Sequence, residues 1–208
     1  VQFSDEAVRR TIDEWMEVVE RDYNHPCIVT WVPLNESWGV PFISVDRRQQ
    51  EFSQTLYHLL KSFDSTRLVV GNDGWEMTET DLCAIHNYDH GEKNDEKAHA
   101  KFRESLSCRE ELLYTYTAGR KIFVDGWKDR GQPVLLTEFG GISFAEQDDK
   151  AWGYTCIRDG AELEKEYERI LDAICASDSI AGFCYTQLAD VEQETNGLLT
   201  CDRVPKIR

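Results

Sequence analysis

Apolar residues recur along this chain in two rhythms, one helical and one extended, and the two alternate. Val8, Ile12, Trp15, Met16 and Val19 fall three and four apart behind Ser4-Asp5, which predicts an amphipathic helix over residues 5–22 with Ser4-Asp5 as its cap. His25-Pro26 stops that helix, because the residue before a proline is pushed out of helical space. The continuous apolar run 28–36 then reads as a buried strand ending on Glu36. Phe52, Leu56, Leu59, Leu60 and Phe63 mark a second helix, followed by short strands at 68–73 and 83–88. A further strand, 133–141, carries Glu138 near its end. Leu163, Tyr167, Ile170, Leu171 and Ile174 define another helix, and 180–187 a final strand. Residues 91–126 are charged without a clean apolar stripe, so a helix plus a long, partly mobile excursion is expected there. Residues 144–159 have the length and polarity of an active-site loop.

Five strands alternating with helices are the sequence form of a parallel α/β architecture. A closed (β/α)8 TIM barrel needs about 250 residues and eight strands, more than these 208 residues offer. The chain is therefore expected to hold strands four to eight of such a barrel, with residues 1–208 forming the C-terminal part of one catalytic domain. It begins at Val1 rather than Met, in keeping with a piece of something longer. Five strands alone leave two open edges, an association hazard unless they close or pair; a homo-oligomer or a partner chain is one remedy.

Composition narrows the partners. With 39 acidic and 23 basic residues the net charge is −16, which repels phosphate backbones and anionic lipid, so neither nucleic acid nor membrane is expected. No apolar stretch of about 20 residues is present to span a bilayer, and the first residues lack the basic-then-apolar plan of a signal peptide. The seven cysteines are odd in number, widely spaced and without a CxxC pair or zinc-site spacing. They are expected to be reduced, mostly buried small hydrophobes, which leans towards a cytoplasmic location. No metal and no cofactor is expected.

Glu36 and Glu138 carry the candidate chemistry. Each closes an apolar strand, and the C-terminal ends of barrel strands form the active-site face; two facing carboxylates are the minimal machinery for glycoside hydrolysis. Residues 21–31, Arg-Asp-Tyr-Asn-His-Pro-Cys-Ile-Val-Thr-Trp, followed by Asn35-Glu36, resemble the signature of the family 2 glycoside hydrolases. Residues 133–141 resemble that family's nucleophile strand, and Asn196-Gly197-Leu198 with Asp202-Arg203 and Lys206 resembles the segment after its last strand.

The resemblance implies a retaining β-glycosidase, with Glu36 as general acid/base and Glu138 as nucleophile. Retention requires the two carboxyl groups to be about 5–5.5 Å apart. Pro33, Leu34 and Trp38 give Glu36 an apolar flank, the setting in which a carboxyl keeps its proton. By the same resemblance Asn35 would bind the sugar 2-hydroxyl, and Tyr88 would donate to the nucleophile, with His86 and His90 nearby. Trp38 and Trp152, beside the glutamate loops, are candidates for stacking on a sugar. The family's aromatic platform, commonly Trp after strand eight, is replaced here by Tyr185 and Gln187. Of the rim acids Asp190, Glu192 and Glu194, Glu192 is assigned to the pocket.

Family members that take glucuronides place an Asn-x-Lys motif where this chain has Glu194-Thr195-Asn196. A glutamate facing a sugar carboxylate would cost affinity, so a neutral carbohydrate substrate is expected: β-galactoside first, then β-mannoside or β-glucoside. Two alternatives stand beside this reading. One is a catalytically silent fragment of such an enzyme. The other is a metal-dependent barrel hydrolase using Asp73, His86, His90 and Glu138, unsupported by any HxH or HExxH pattern.

Overall fold

A computed structural model describes residues 2–144 and 153–207. The chain falls into two compact units, Val1–Ile85 with Gly119–Leu135, and His86–Ala118 with Leu136–Arg208.

In the first unit, α1 spans Asp5–Asp22 and α2 spans Arg47–Phe63. The Ser4 hydroxyl accepts from the Ala7 N–H at 3.1 Å, and Asp46 accepts from the Arg48 N–H at 2.9 Å. Both side chains satisfy donors that a helix start leaves orphaned. Strand β1 covers Thr30–Trp31 and pairs in parallel with β2, Leu68–Val69, in the register Thr30↔Leu68 and Trp31↔Val69. Parallel bridges Asn35↔Asp73, Gly74↔Ile85 and Met77↔Phe123 continue the pattern beyond the regular strands. Leu34, Val40, Ile43, Phe52, Leu56 and Val124 form one buried cluster, sealed by Val8, Ile12 and Trp15 of α1. A second cluster joins Val19, Trp31, Tyr57, Leu60 and Val69.

One polar anchor holds β1 to the turn after α2. Trp31 Nε1 donates to the buried Asp64 at 3.0 Å, and Arg67 donates to Asp64 at 2.6 Å and to the Ile28 carbonyl at 2.7 Å. Burial alone would raise the Asp64 pKa, but hydrogen bonds from Thr66, Arg67 and Trp31 outweigh it and hold the carboxyl below its usual range.

Strands β3 (Cys83–Asn87), β4 (Val134–Phe139) and β7 (Ile180–Phe183) form a sheet of order β3-β4-β7. The second unit adds α3 (Glu96–Ser105), α4 (Arg109–Tyr114) and α5 (Gly160–Cys175). It also holds a parallel pair, β5 (Ile142–Phe144) with β6 (Thr155–Ile157).

Four expectations change. The run 28–36 is regular strand only at Thr30–Trp31, and it is not uniformly buried: Val29 is 74% exposed. Among the described residues β1 pairs with β2 alone. The stretch 91–126 contains two helices rather than one. The flanks of the 144–159 loop are β5 and β6, because the apolar Ile142, Phe144 and Ile157 give them a buried face that a polarity average hides. Of the seven cysteines, all free, only Cys83 is buried; the other six lie on loops, strand edges and helix ends.

Candidate functional site

In the first unit the chain leaves β1 through Pro33-Leu34 and makes a tight turn at Asn35–Trp38, closed by Trp38 N–H donating to the Asn35 carbonyl at 2.8 Å. Its two central residues, Glu36 and Ser37, both have positive φ, 52° and 61°. This matches a type I′ turn, a geometry usually left to Gly and Asn. Glu36 is half-buried and Asn35 exposed, and Trp38 stands 64% exposed beside them.

The residues that hold this turn escaped the sequence reading. Asn72 accepts from the Ser37 N–H through Oδ1 and donates to the Ser37 hydroxyl through Nδ2, both at 3.1 Å. The Ser37 hydroxyl donates to Glu76 Oε2 at 2.6 Å, and Arg120 donates to both Glu76 oxygens at 3.1 Å. The one signal was the polar motif 72–76, Asn-Asp-Gly-Trp-Glu, following an apolar strand.

In the second unit Glu138 sits on β4 with its side chain 29% exposed. The Tyr88 hydroxyl, one residue past β3, donates to Glu138 Oε2 at 2.7 Å. His86 Nδ1 lies 3.4 Å from the same oxygen, on a fully buried side chain. Burial drives the Tyr88 pKa up, opposed by a hydrogen bond with Thr186 and reinforced by the Glu138 carboxylate. The phenol therefore stays protonated and acts as a donor. The Tyr88 ring stacks on Tyr154, with centroids 3.8 Å apart and planes within 10°, which fixes where the hydroxyl points. Such an arrangement stabilises an ionised carboxylate and leaves it partly open to a reactant.

The other second-unit candidates do different work. His90 faces the Gly140 carbonyl through Nε2 at 2.6 Å and the Gly91 carbonyl through Nδ1 at 3.1 Å, so neither ring nitrogen is turned outward as a metal ligand. Burial lowers its pKa, against the two carbonyls that favour the charged form. Gln187 donates to Asn196 Oδ1 at 2.7 Å and to Glu194 at 3.3 Å. Glu192 occupies the exposed tip of a tight turn closed by reciprocal Val191–Glu194 backbone bonds. Tyr185 is packed edge-on against Phe139 and Tyr167. Trp152 lies outside the described residues. Lys206 donates to Asp190 and to the Thr195 carbonyl, both at 2.7 Å, on a side chain that is almost wholly buried. No described helix is long and apolar enough to cross a membrane.

A family profile described as glycosyl hydrolases family 2, TIM barrel domain, matches residues 3–207. Among solved structures, the chain is similar to a Bifidobacterium dentium β-glucuronidase complexed with coumarin-3-O-glucuronide. The identity is 25% and the TM-score 0.65, over 95% of this chain and 32% of that one. It is also similar to Faecalibacterium prausnitzii β-glucuronidase (19%, TM-score 0.64, 95% and 33%) and to a Ruminococcus gnavus β-glucuronidase in complex with D-glucuronic acid (18%, TM-score 0.66, 96% and 34%). The fold is thus of TIM-barrel type, and the chain spans about a third of the length of these structures. No curated protein matches the chain by sequence.

Proposed function

The chain belongs to glycosyl hydrolase family 2, whose TIM-barrel domain it carries in part, and from that premise we propose that its parent protein is a retaining exo-β-glycosidase. Residues 1–208 supply both catalytic carboxyl groups. Glu138 attacks the anomeric carbon while Glu36 gives its proton to the departing glycosidic oxygen. Glu36 then takes a proton from water as that water displaces Glu138 from the sugar. Asn35 binds the sugar 2-hydroxyl and Trp38 offers a stacking face. The observation that supports this most is the short Tyr88–Glu138 hydrogen bond, since a nucleophile must stay ionised and correctly aimed until it attacks.

A neutral sugar, β-galactoside before β-mannoside or β-glucoside, is favoured by the last loop. Asn196 is buried and bonded to Gln187, Glu194 carries the wrong sign for a sugar acid, and Lys206 is committed to Asp190. Lys206 is thereby not offered to a carboxylate of the sugar. A β-glucuronide is the competing substrate, favoured by the substrate class of the similar structures.

The test is intact-mass analysis of the full-length parent after incubation with 2-deoxy-2-fluoro β-D-galactosyl, mannosyl, glucosyl and glucuronyl fluorides, beside Glu138→Gln. One adduct mapping to Glu138, absent from the variant, is expected and names the sugar. Labelling of the parent but not of residues 1–208 alone would mark the isolated chain as a silent fragment, and no labelling of either would end the glycosidase reading.

A further inference from the structure

The turn that carries Glu36 is strained, and its restraints converge from one short segment. For two successive non-glycine residues, left-handed backbone is unfavourable, and such a geometry persists only where its surroundings over-determine it. Here the Glu36 N–H donates to the Asp73 carbonyl at 2.9 Å, and the Asp73 N–H donates to the Leu34 carbonyl at 2.8 Å. Asn72 brackets Ser37 from both sides, on its N–H and on its hydroxyl. Glu76 closes the set by accepting from the Ser37 hydroxyl.

Glu76 is an unexpected residue for that place. It is a buried carboxylate with its own φ at 47°. Burying such a charge is costly unless it is paired and hydrogen-bonded, and Arg120 and Ser37 supply the pairing. The Glu76 N–H donates to the Lys121 carbonyl at 2.8 Å, which holds the carboxylate and its arginine together. A neutral residue could support the fold at lower cost; a charge-assisted bond to Ser37 is shorter and more directional.

We propose that Glu76, locked by Arg120, is a positioning residue that acts through Ser37 to hold Glu36 in the orientation needed for proton transfer. The proposal rests on Glu36 being the acid/base of a retaining glycosidase. It assigns Glu76 no contact with substrate. Loosening the Ser37 clamp lets the turn relax towards ordinary backbone, which re-aims the Glu36 carboxyl and leaves the nucleophilic carboxylate untouched.

Impaired proton donation has a signature that general destabilisation lacks. Phenoxide is a poor leaving group and needs the proton; 2,4-dinitrophenoxide departs without it. The experiment measures kcat and kcat/KM of the full-length parent, Glu76→Gln and Ser37→Ala on phenyl and 2,4-dinitrophenyl β-D-galactosides, mannosides, glucosides and glucuronides, with and without azide. Expected in kcat/KM is a fall of about 30-fold or more on the phenyl glycoside of the accepted sugar and of less than about 3-fold on the dinitrophenyl one, a large part of the roughly 10²–10⁴-fold that general acid catalysis contributes. Water needs Glu36 as base in the second step and azide does not, so azide should raise the variants' kcat on the dinitrophenyl glycoside by displacing Glu138 from the glycosyl-enzyme as the glycosyl azide. Equal falls on both aglycones without azide rescue, or no fall on either, would overturn the proposal. Should Glu76→Gln fail to fold, Ser37→Ala decides alone. A wild type that turns over no glycoside of the panel fails the glycosidase reading itself, and this inference with it.

Discussion

The Tyr88 hydroxyl donates to Glu138 Oε2 at 2.7 Å, across 50 residues of sequence. The tyrosine sits just past the end of β3 and the glutamate on β4, neighbouring strands of one sheet. Stacking on Tyr154 removes the freedom of the phenol to swing away, so the bond is preorganised rather than assembled on binding.

Tyr88→Phe keeps the ring and its stacking partner and removes only the donor. A hydrogen bond to a charged group contributes about 1.5–3 kcal/mol, so kcat should fall by about 10- to 100-fold. Thermal unfolding should move little. Steady-state kinetics beside a melting curve check this, and an unchanged kcat would remove Tyr88 from the machinery.

Gly140, two residues beyond Glu138, has φ +89°, and a Cβ built there would overlap the Tyr185 ring. Tyr185 is pinned between Phe139 and Tyr167 and cannot yield. Gly140→Ala should cost about 2–4 kcal/mol, combining backbone strain with overpacking. Urea unfolding reads the loss directly; a stability within 0.5 kcal/mol of wild type, about the scatter of surface substitutions, would mean that Tyr185 can repack.

His90 gives the protein a pH dependence with a defined sign. Burial, outweighing the Gly140 and Gly91 carbonyls, lowers its pKa from the ordinary 6.5. The unfolded chain therefore binds a proton before the native state does. The contribution of neutral His90 is complete above about pH 6.5 and drains away as pH falls through the lowered native value, at no more than about 1.4 kcal/mol per pH unit. Urea midpoints at pH 7.5 and 5.5 should diverge in the wild type and diverge less in His90→Gln; equal divergence would mean another group titrates.

Six of the seven free cysteines are exposed. Maleimide treatment of the native protein should add up to six labels, with Cys83 reacting only after unfolding. Peptide mapping checks the order, and native labelling of Cys83 would show that β3 opens.

Periodicity in the sequence was sufficient for α1, α2, α5 and the five principal strands, because a helix stripe or an apolar run is a local property of the chain. Its resemblance to family 2 also pointed to Glu36, Glu138, Tyr88 and His86 as candidate site residues. The weaker local signals failed in a consistent way. Val29 and six cysteines looked internal because residue type alone does not report which way a side chain faces in the fold, and β5 and β6 vanished into a polar average.

Determined by sequence alone were the alternation of helix and strand, the excess negative charge, and the presence of Glu36 and Glu138 as candidate carboxylates after two apolar runs. Only the tertiary structure decided what each carboxylate touches. Asn72 and Glu76 meet Ser37 because parallel pairing brings residues 35–40 apart together, Arg120 reaches Glu76 from farther along the chain, and Tyr88 meets Glu138 because β3 and β4 are neighbours. Those pairings are set by strand order and by the twist of a packed sheet. No window of local sequence contains them, whereas the hydrophobic rhythm that builds each element is written residue by residue.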